Sequence, residues 1–181
     1  EVKKMGQQFL FLLLVLPASL FAQVKPLVAG VYVWPAMELK STILFSGSAH
    51  VLSFLEVSAN QLDAGDKKPL NVPADEEHLL LIKSGTLEVS LNNSTHLLGK
   101  GSIVLFLPSD KGVLKAVNKS CSFHIMRYRS KAPLNRERGE ASGGTVIRDW
   151  TKIPFTAHER GGVRSFFEQP TALTNRFEMH V

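Results

Sequence analysis

Residues 78–108 decide the fold and read HLLLIKSGTLEVSLNNSTHLLGKGSIVLFLP. Apolar runs in this stretch are separated by a Ser-Gly pair, an Asn-Asn pair and a Gly-Lys-Gly triplet, which predict tight turns between strands. Leu87, Val89 and Leu91 alternate with polar residues, as in a strand with one buried face. The run IVLFL at residues 103–107 is apolar at every position, which is typical of a strand between two layers. The stretch therefore predicts four strands joined by tight turns.

The same pattern continues on both sides of this stretch. Residues 50–62 predict one long strand, and residues 112–130 predict two strands around an Asn-Lys-Ser turn. No stretch of ten residues shows a convincing helical period. Many short strands at this spacing indicate an all-β sandwich or barrel, which we place at residues 50–130.

The composition suits one domain, or one domain plus a fragment, because the chain has 181 residues of which 44% are hydrophobic. The net charge of +5 is mild, and the densest basic run lies at residues 127–140. This run could form a face that binds a polyanion, but few aromatic residues accompany it. We interpret it as a solvated linker and expect no nucleic-acid partner.

The N-terminus has the pattern of a targeting signal. Lys3 and Lys4 precede an apolar run that ends in small residues, which predicts a signal peptide over residues 1–22 with cleavage after Ala22. An uncleaved anchor is the alternative, although the run is shorter than the roughly 20 residues of a membrane span. We expect a chain exported to the periplasm or secreted, with no stable membrane span after cleavage and an N-terminal arm over residues 23–49.

The glycines of the strand-rich region resemble the sequence frame of the cupin family. The first cupin motif runs Gly, five residues, His-x-His, three or four residues, Glu, six residues, Gly. Gly65 and Gly85 fit its two ends, and the three metal-ligand positions then fall on Asn71, Pro73 and His78. The resemblance implies a cupin-type jelly roll, also called a double-stranded β-helix.

The second cupin motif is matched only in part. It runs Gly, about five residues, Pro-x-Gly, two residues, His, three residues, Asn. Gly101 and Pro108 fit this order, with one extra residue between them. Asp110 replaces the following glycine. Val113 stands at the histidine position, or Gly112 in a shifted frame.

The resemblance thus implies a barrel that has kept the scaffold and lost the metal. A cupin metal is held by three imidazoles and one carboxylate, and of the matched positions only His78 carries a ligand-type side chain. His124, on a later strand, could face the same cavity, but two histidines still lack the carboxylate. We expect no catalytic residue and no bound metal in this barrel. We name Asn71, His78 and His124 as candidates for a pocket that takes a small polar metabolite.

Two groups with reactive side chains are interpreted as structural. Cys121 alternates with Phe123 and Ile125, which predicts a buried, inert thiol on the face of a strand. The acidic trio at residues 75–77 precedes an apolar strand. It could accept a cation or act as a general base, but we interpret it as solvated charges on a loop.

The last third of the chain has a different character. Residues 131–145 are polar and contain glycine, which predicts a linker. Residues 146–181 regain apolar content and predict a clasp followed by the beginning of a second, truncated barrel. They resemble the entry into the C-terminal barrel of exported bacterial two-barrel cupins related to (S)-ureidoglycine aminohydrolase. An unfinished barrel leaves apolar residues uncovered, so we expect this segment to be poorly packed or held against a partner, with a homo-oligomer as the result.

Two functions remain open from the sequence. In the first, the chain is a non-catalytic cupin module with a structural role or a small polar ligand. In the second, it is part of a manganese- or iron-dependent two-barrel enzyme whose active site lies in the missing C-terminal barrel. The replaced ligand positions favour the first function for this barrel.

Overall fold

The computed structural model describes residues 40–181. The predicted signal peptide, its cleavage site and the arm up to residue 39 lie outside the described residues. No helix within residues 40–181 has the length and apolar character needed to cross a membrane. The strands are β1 (Ser41–Gly47), β2 (Leu52–Leu62), β3 (Lys67–Asn71), β4 (Glu77–Leu91), β5 (Ser94–Gly99), β6 (Ile103–Phe106), β7 (Lys111–Ser130), β8 (Val146–Arg148), β9 (Thr156–His158), β10 (Gly161–Val163), β11 (Ser165–Gln169) and β12 (Phe177–His180). The helices are α1 (Arg136–Ala141) and a 3-10 turn at Trp150–Lys152.

The long strands β4 and β7 build the barrel. The main sheet has the order β1-β2-β7-β4-β6-β8, and β3 also pairs with β7 while β5 also pairs with β4. Residues 77–82 of β4 pair with residues 123–128 of β7, and residues 86–91 pair with residues 112–117. Each long strand therefore runs through both layers of one antiparallel jelly roll. The predicted all-β fold is confirmed.

The two layers enclose one apolar core, here called the inner core. Leu87, Val89 and Leu91 contribute to it from one layer, as the alternation in the sequence predicts. Val104 and Phe106 of β6 contribute from the other layer and are fully buried. Strand pairing and burial of these side chains thus stabilise the same arrangement.

A second apolar cluster, here called the outer core, covers the other face of the β4-β6-β7 layer. Ile103 and Leu105 of β6 lie in it and contact side chains of the C-terminal segment. Phe166 and Phe167 are among these, with only 4% and 7% of their surfaces exposed. This explains why β6 is apolar at every position. The prediction that the C-terminal segment is poorly packed is wrong, because this face of the barrel sheet provides its core.

The predicted Ser-Gly turn is instead a bend inside β4. Gly85 has a φ of +76°, and the β4–β7 pairing shifts register between Ile82 and Ser84 and again between Ser84 and Thr86. The predicted Asn-Lys-Ser turn is likewise a bulge within β7, where Asn118 has a φ of +64°. The chain changes direction at both predicted turns, but within a bent strand rather than in a hairpin.

The Asn-Asn pair does form the predicted hairpin turn. Asn92 and Asn93 have φ values of +49° and +63°, and Leu91 pairs with Ser94 across the two-residue loop. This backbone matches the twist of antiparallel strands, and asparagine tolerates it better than most residues.

The predicted linker and arm carry ordered structure. Residues 131–145 contain α1, whose first turn is capped by Asn135. The guanidinium of Arg138 donates to the carbonyl oxygens of Thr171 and Ala172 at 2.7 and 3.0 Å. Residues 41–47 form β1, which pairs with β2 and extends the sheet beyond the predicted barrel. The C-terminal residues 146–148 also join the main sheet, through β6.

Candidate functional site

A cavity of about 450 Å³ opens at one end of the barrel interior. Strands β1, β2 and β7 line it with every second residue, because successive side chains of a strand point to opposite faces, and β3 lines it with residues 68–71. Its walls are polar towards the opening and reach the inner core through Leu70 and Ile125. Among the cavities within residues 40–181, this one contains residues that the sequence analysis predicts for a ligand pocket.

Two of the three predicted pocket residues lie together. Asn71 and His78 both line the cavity. His124 does not, because Ile125 and Arg127 of the same strand face the cavity and His124 therefore points to the opposite side of the sheet. The expectation that His124 faces the same cavity as His78 is wrong. Burial, with help from Lys83, lowers the pKa of His124.

His78 is held by a neighbouring carboxylate. It is 6% exposed, and its Nε2 lies 3.0 Å from Oε2 of Glu76. Burial lowers the pKa of His78 although Glu76 acts to raise it, so the imidazole is neutral at neutral pH. A neutral ring that faces a carboxylate with Nε2 carries its proton there, which leaves Nδ1 as a hydrogen-bond acceptor.

Glu76 is the centre of the polar wall. Its carboxylate accepts hydrogen bonds from Nε and Nη2 of Arg127 at 3.0 and 3.3 Å, and Nε of Arg129 lies 3.3 Å from Oε1. Burial alone would raise the pKa of Glu76, but the bonds from Arg127 and His78 outweigh it and hold that pKa below its usual value. Arg127 also donates from Nη1 to Glu56 at 3.1 Å. Two guanidinium groups therefore balance two carboxylates.

The aromatic ring of Phe54 orders both arginines. The guanidinium carbons of Arg127 and Arg129 lie 5.5 and 4.8 Å from its centroid. Such cation–π contacts restrain the side chains while their nitrogen atoms remain available for carboxylates. The part of the basic run that lies on β7 is thus built into the barrel wall and is not a solvated linker.

The acidic trio is also not a solvated loop. Asp75 is exposed, but Glu76 and Glu77 are only 2% and 0% exposed. Alternation puts Glu76 on the side of His78, which lines the cavity, and Glu77 on the side of Tyr128 in the outer core. There the Glu77 carboxylate accepts hydrogen bonds from the Tyr128 hydroxyl, from Oγ1 of Thr171 at 2.8 Å and from the Leu173 amide at 3.1 Å.

Lys68 of β3 also lines the cavity. Its ammonium donates to Oδ1 of Asn60 at 2.7 Å, and Nδ2 of Asn60 donates to the Ser58 hydroxyl at 3.0 Å. The Ser41 hydroxyl donates to the same Oδ1 at 3.1 Å. Burial lowers the pKa of Lys68.

Comparisons with known proteins identify this architecture. No family model and no curated protein matches the sequence. Among solved structures, the chain is similar to a cupin protein of Bacteroides fragilis, with 20% identity over 45% of this chain and 70% of that one and a TM-score of 0.40. KdgF of a Halomonas species matches at 13% identity over 57% of this chain and 96% of that one, with a TM-score of 0.44. A Pseudomonas aeruginosa protein described as glyoxylate-induced matches at 15% identity, with a TM-score of 0.51, over 70% of this chain and 48% of that one.

The chain has the cupin fold. The expected jelly roll is confirmed by the antiparallel strand order and by the likeness to the Pseudomonas protein, of which this chain spans about half. The likeness shows the fold alone, so the chemistry must be argued from the residues in the cupin cavity.

The residues at the cupin metal positions do not fit a metal ion. Val113 is 38% exposed while Leu114 is buried in the inner core, so the inward position of the second motif is Gly112, which has no side-chain donor. Pro73 has none either, and Nε2 of His78 is engaged with Glu76. Within residues 40–181 no group of three or more His, Cys, Asp or Glu side chains is placed to hold a metal.

Sequence reasoning missed much of the cupin cavity. Glu56, Ser58 and Asn60 form a polar stripe at every second position of β2, which is unusual for the inward face of a barrel strand. That stripe was the available signal for a polar cavity. The partners Arg127 and Glu76 lie 51 residues apart in sequence, so no local pattern connects them.

Cys121 takes no part in this site. It is fully buried in the inner core, and burial raises the pKa of its thiol to about 11. A thiol that stays protonated is a poor nucleophile, so the sequence interpretation of an inert cysteine holds.

Proposed function

We propose that this cupin barrel is a non-catalytic module that binds a small polar ligand in its cavity without a metal ion. The observation that carries the proposal is the engagement of His78 with Glu76, at 3.0 Å. His78 has the one imidazole at the cupin ligand positions, and its Nε2 faces a carboxylate already held by two arginines. Guanidinium groups at this point repel a divalent cation, whereas hydrogen bonding to a small organic molecule stays available.

The size and lining of the cavity support a small-molecule ligand. Its volume of about 450 Å³ lies in the range of small-molecule sites. The amide of Asn71, the ammonium of Lys68 and Nδ1 of His78 offer donors and an acceptor around apolar surface from Leu70 and Ile125. A few polar groups on an apolar lining are typical of sites that fix the orientation of a metabolite.

The proposal is tested on chelator-treated protein by amide NMR with small sugars, amides and acids as probes. We expect at least one probe to shift resonances of cavity residues. The His78→Gln variant should weaken the binding of that probe several-fold. His124→Gln is the matched control, since it removes a histidine from the opposite face of the sheet, and it should leave binding unchanged. Binding that requires added manganese or iron, or a complete lack of cavity shifts, would contradict the proposal.

The second candidate is a metal-dependent enzyme with two cupin barrels, related to (S)-ureidoglycine aminohydrolase, whose metal lies in the other barrel. The resemblance of residues 146–181 to the entry into a second barrel supports it, and the Pseudomonas protein, of which the match covers 48%, is long enough to hold a second barrel. In this arrangement manganese or iron belongs to the full-length protein. The downstream coding sequence decides: a His-x-His followed by a distal Glu and His supports this enzyme, and a stop codon without them excludes it.

Export and self-association are further parts of the proposal: export rests on the N-terminal sequence, and self-association on apolar side chains that stay exposed, such as Leu97 and Phe155. Mass spectrometry of the mature protein should find Gln23 or a close neighbour at the N-terminus, since the apolar run after Lys3 and Lys4 directs cleavage after Ala22. An intact Met5 segment in the cytosol would contradict export. Size-exclusion chromatography with light scattering should give a mass above that of one chain.

A further inference from the structure

Lys68 is held rigidly at the cavity by a buried amide. Asn60 is 2% exposed, and its Oδ1 accepts the Lys68 ammonium at 2.7 Å. The amide is itself held, because it donates to Ser58 and accepts from Ser41. The chain therefore uses three polar side chains to place one ammonium at the wall of the cavity, where burial reduces its hydration.

The charge of Lys68 is not compensated by the protein. Arg127 lies 3.1 Å from Glu56 and 3.0 Å from Glu76, so each of those carboxylates is already paired with a cation. None of the carboxylates within residues 40–181 lies within ion-pair distance of the Lys68 ammonium, whose hydrogen-bond partner is the neutral amide of Asn60. A partly desolvated cation without a counter-ion is unfavourable, and an anion in the cavity would remove that cost.

We propose that the ligand is a small organic carboxylate and that Lys68 binds its carboxylate group. This inference rests on the proposed function, since it names the ligand class of the same cavity. A single ammonium matches one carboxylate. The arginines that would bind the higher charge of a phosphate are already paired with Glu56 and Glu76.

The inference is tested with carboxylates and their amides, which match in shape and differ in charge. Lactate, malonate and succinate are compared with lactamide, malonamide and succinamide by amide NMR titration. We expect at least one carboxylate to bind about ten-fold or more tightly than its amide. Lys68→Gln should lower carboxylate binding to the level of the amide, whereas Lys68→Arg should keep a preference for the carboxylate.

Lys67→Gln is the matched control. It removes the same charge from the adjacent position of β3, where the side chain is exposed on the other face, and it should keep the preference for the carboxylate. The wild-type protein gives a readout that needs no variant: a saturating carboxylate should raise the pKa of Lys68, measured from its 13Cε shift, and the amide should not.

The outcomes separate the two claims. If amides bind as tightly as carboxylates and Lys68→Gln changes neither, the carboxylate inference is overturned and the ligand-binding cavity stands. If neutral probes bind in the cavity and no carboxylate does, the inference is again overturned alone. If no probe of either kind shifts cavity resonances, the proposed function falls together with the inference.

Discussion

Glu76 holds together the hydrogen-bonded network that occupies the place of a cupin metal site. Its carboxylate holds His78 at 3.0 Å and Arg127 at 3.0 Å, and it is 2% exposed. Removing one member of such a buried charged group leaves the others unpaired, which typically costs about 3–5 kcal/mol. The network therefore stabilises the fold only as a complete set.

The pH dependence of stability should report this network. Burial lowers the pKa of His78 in the folded state, so the unfolded chain binds more protons below its ordinary pKa of about 6.5. The free energy of unfolding should therefore fall as pH decreases from about 7 to about 5. A second decrease should follow at more acidic pH as Glu76, whose folded pKa is also lowered, becomes protonated. Urea unfolding at several pH values measures both.

Histidine variants show which residues cause the first of these decreases in stability. His124 also has a lowered pKa, so His78→Gln should remove part of the slope and the double variant with His124→Gln should remove most of it. A protein that becomes more stable between about pH 7 and about pH 5 would rule out this account of His78.

These residues show which parts of the site the sequence could predict. The glycine frame correctly predicted that Asn71 and His78 line the cavity. The cupin ligand positions lie at fixed distances from glycines, and glycines can be recognised in the sequence. The interpretation of the acidic trio as solvated holds for Asp75 and is wrong for Glu76 and Glu77, because alternation sends these two neighbours to different buried faces. The partners that satisfy them, Arg127 and Tyr128, lie on a strand 51 residues away in sequence.

The bends of β4 and β7 let two strands serve both layers of the barrel. Gly85 lies at the bend of β4 with a φ of +76°, and a Cβ added there would lie 2.5 Å from the backbone oxygen of Ser120. The sequence predicts a turn at this glycine, since a residue with positive φ occurs both in hairpin turns and at bends within a strand. Only the pairing with β7 distinguishes a bent strand from a hairpin.

Gly85→Ala should be strongly destabilising because it combines backbone strain with a clash. We expect a loss of about 2 kcal/mol or more in the free energy of unfolding, measured by urea denaturation. Gly65→Ala is the matched control, because its φ is +84° and no atom lies within 4 Å of an added Cβ. It should cost about 1 kcal/mol, from conformational strain alone. Equal losses in the two variants would show that the bend is not tightly packed.

The molecule as a whole is a barrel with its C-terminal segment folded onto the outer face. Ile153 is 6% exposed in the outer core, while Phe155, two residues further along the chain, is 57% exposed. The buried Glu77 fastens residues 171–173 to the barrel through two hydrogen bonds, and the Tyr128 hydroxyl of β7 donates a third to the same carboxylate. Whether this segment begins a second barrel stays a prediction.

Thr171→Val should loosen the C-terminal segment without unfolding the barrel. The Thr171 hydroxyl is 1% exposed and donates to Glu77 at 2.8 Å, so the variant removes a hydrogen bond to a buried carboxyl group, worth about 1.5–3 kcal/mol. Hydrogen exchange should accelerate in residues 165–180 and stay slow in β6. Thr151→Val, which removes an exposed hydroxyl, is the control. Unchanged protection of residues 165–180 would contradict the role of Glu77.

The central claim, a cupin cavity built around hydrogen bonds instead of a metal, is tested most directly by elemental analysis. The protein is produced with manganese, iron and zinc in the medium and compared with His78→Ala. We expect each metal far below about one per chain and no difference between the two proteins, because His78 is engaged with Glu76. About one metal ion per chain in the wild type, lost in His78→Ala, would contradict the claim.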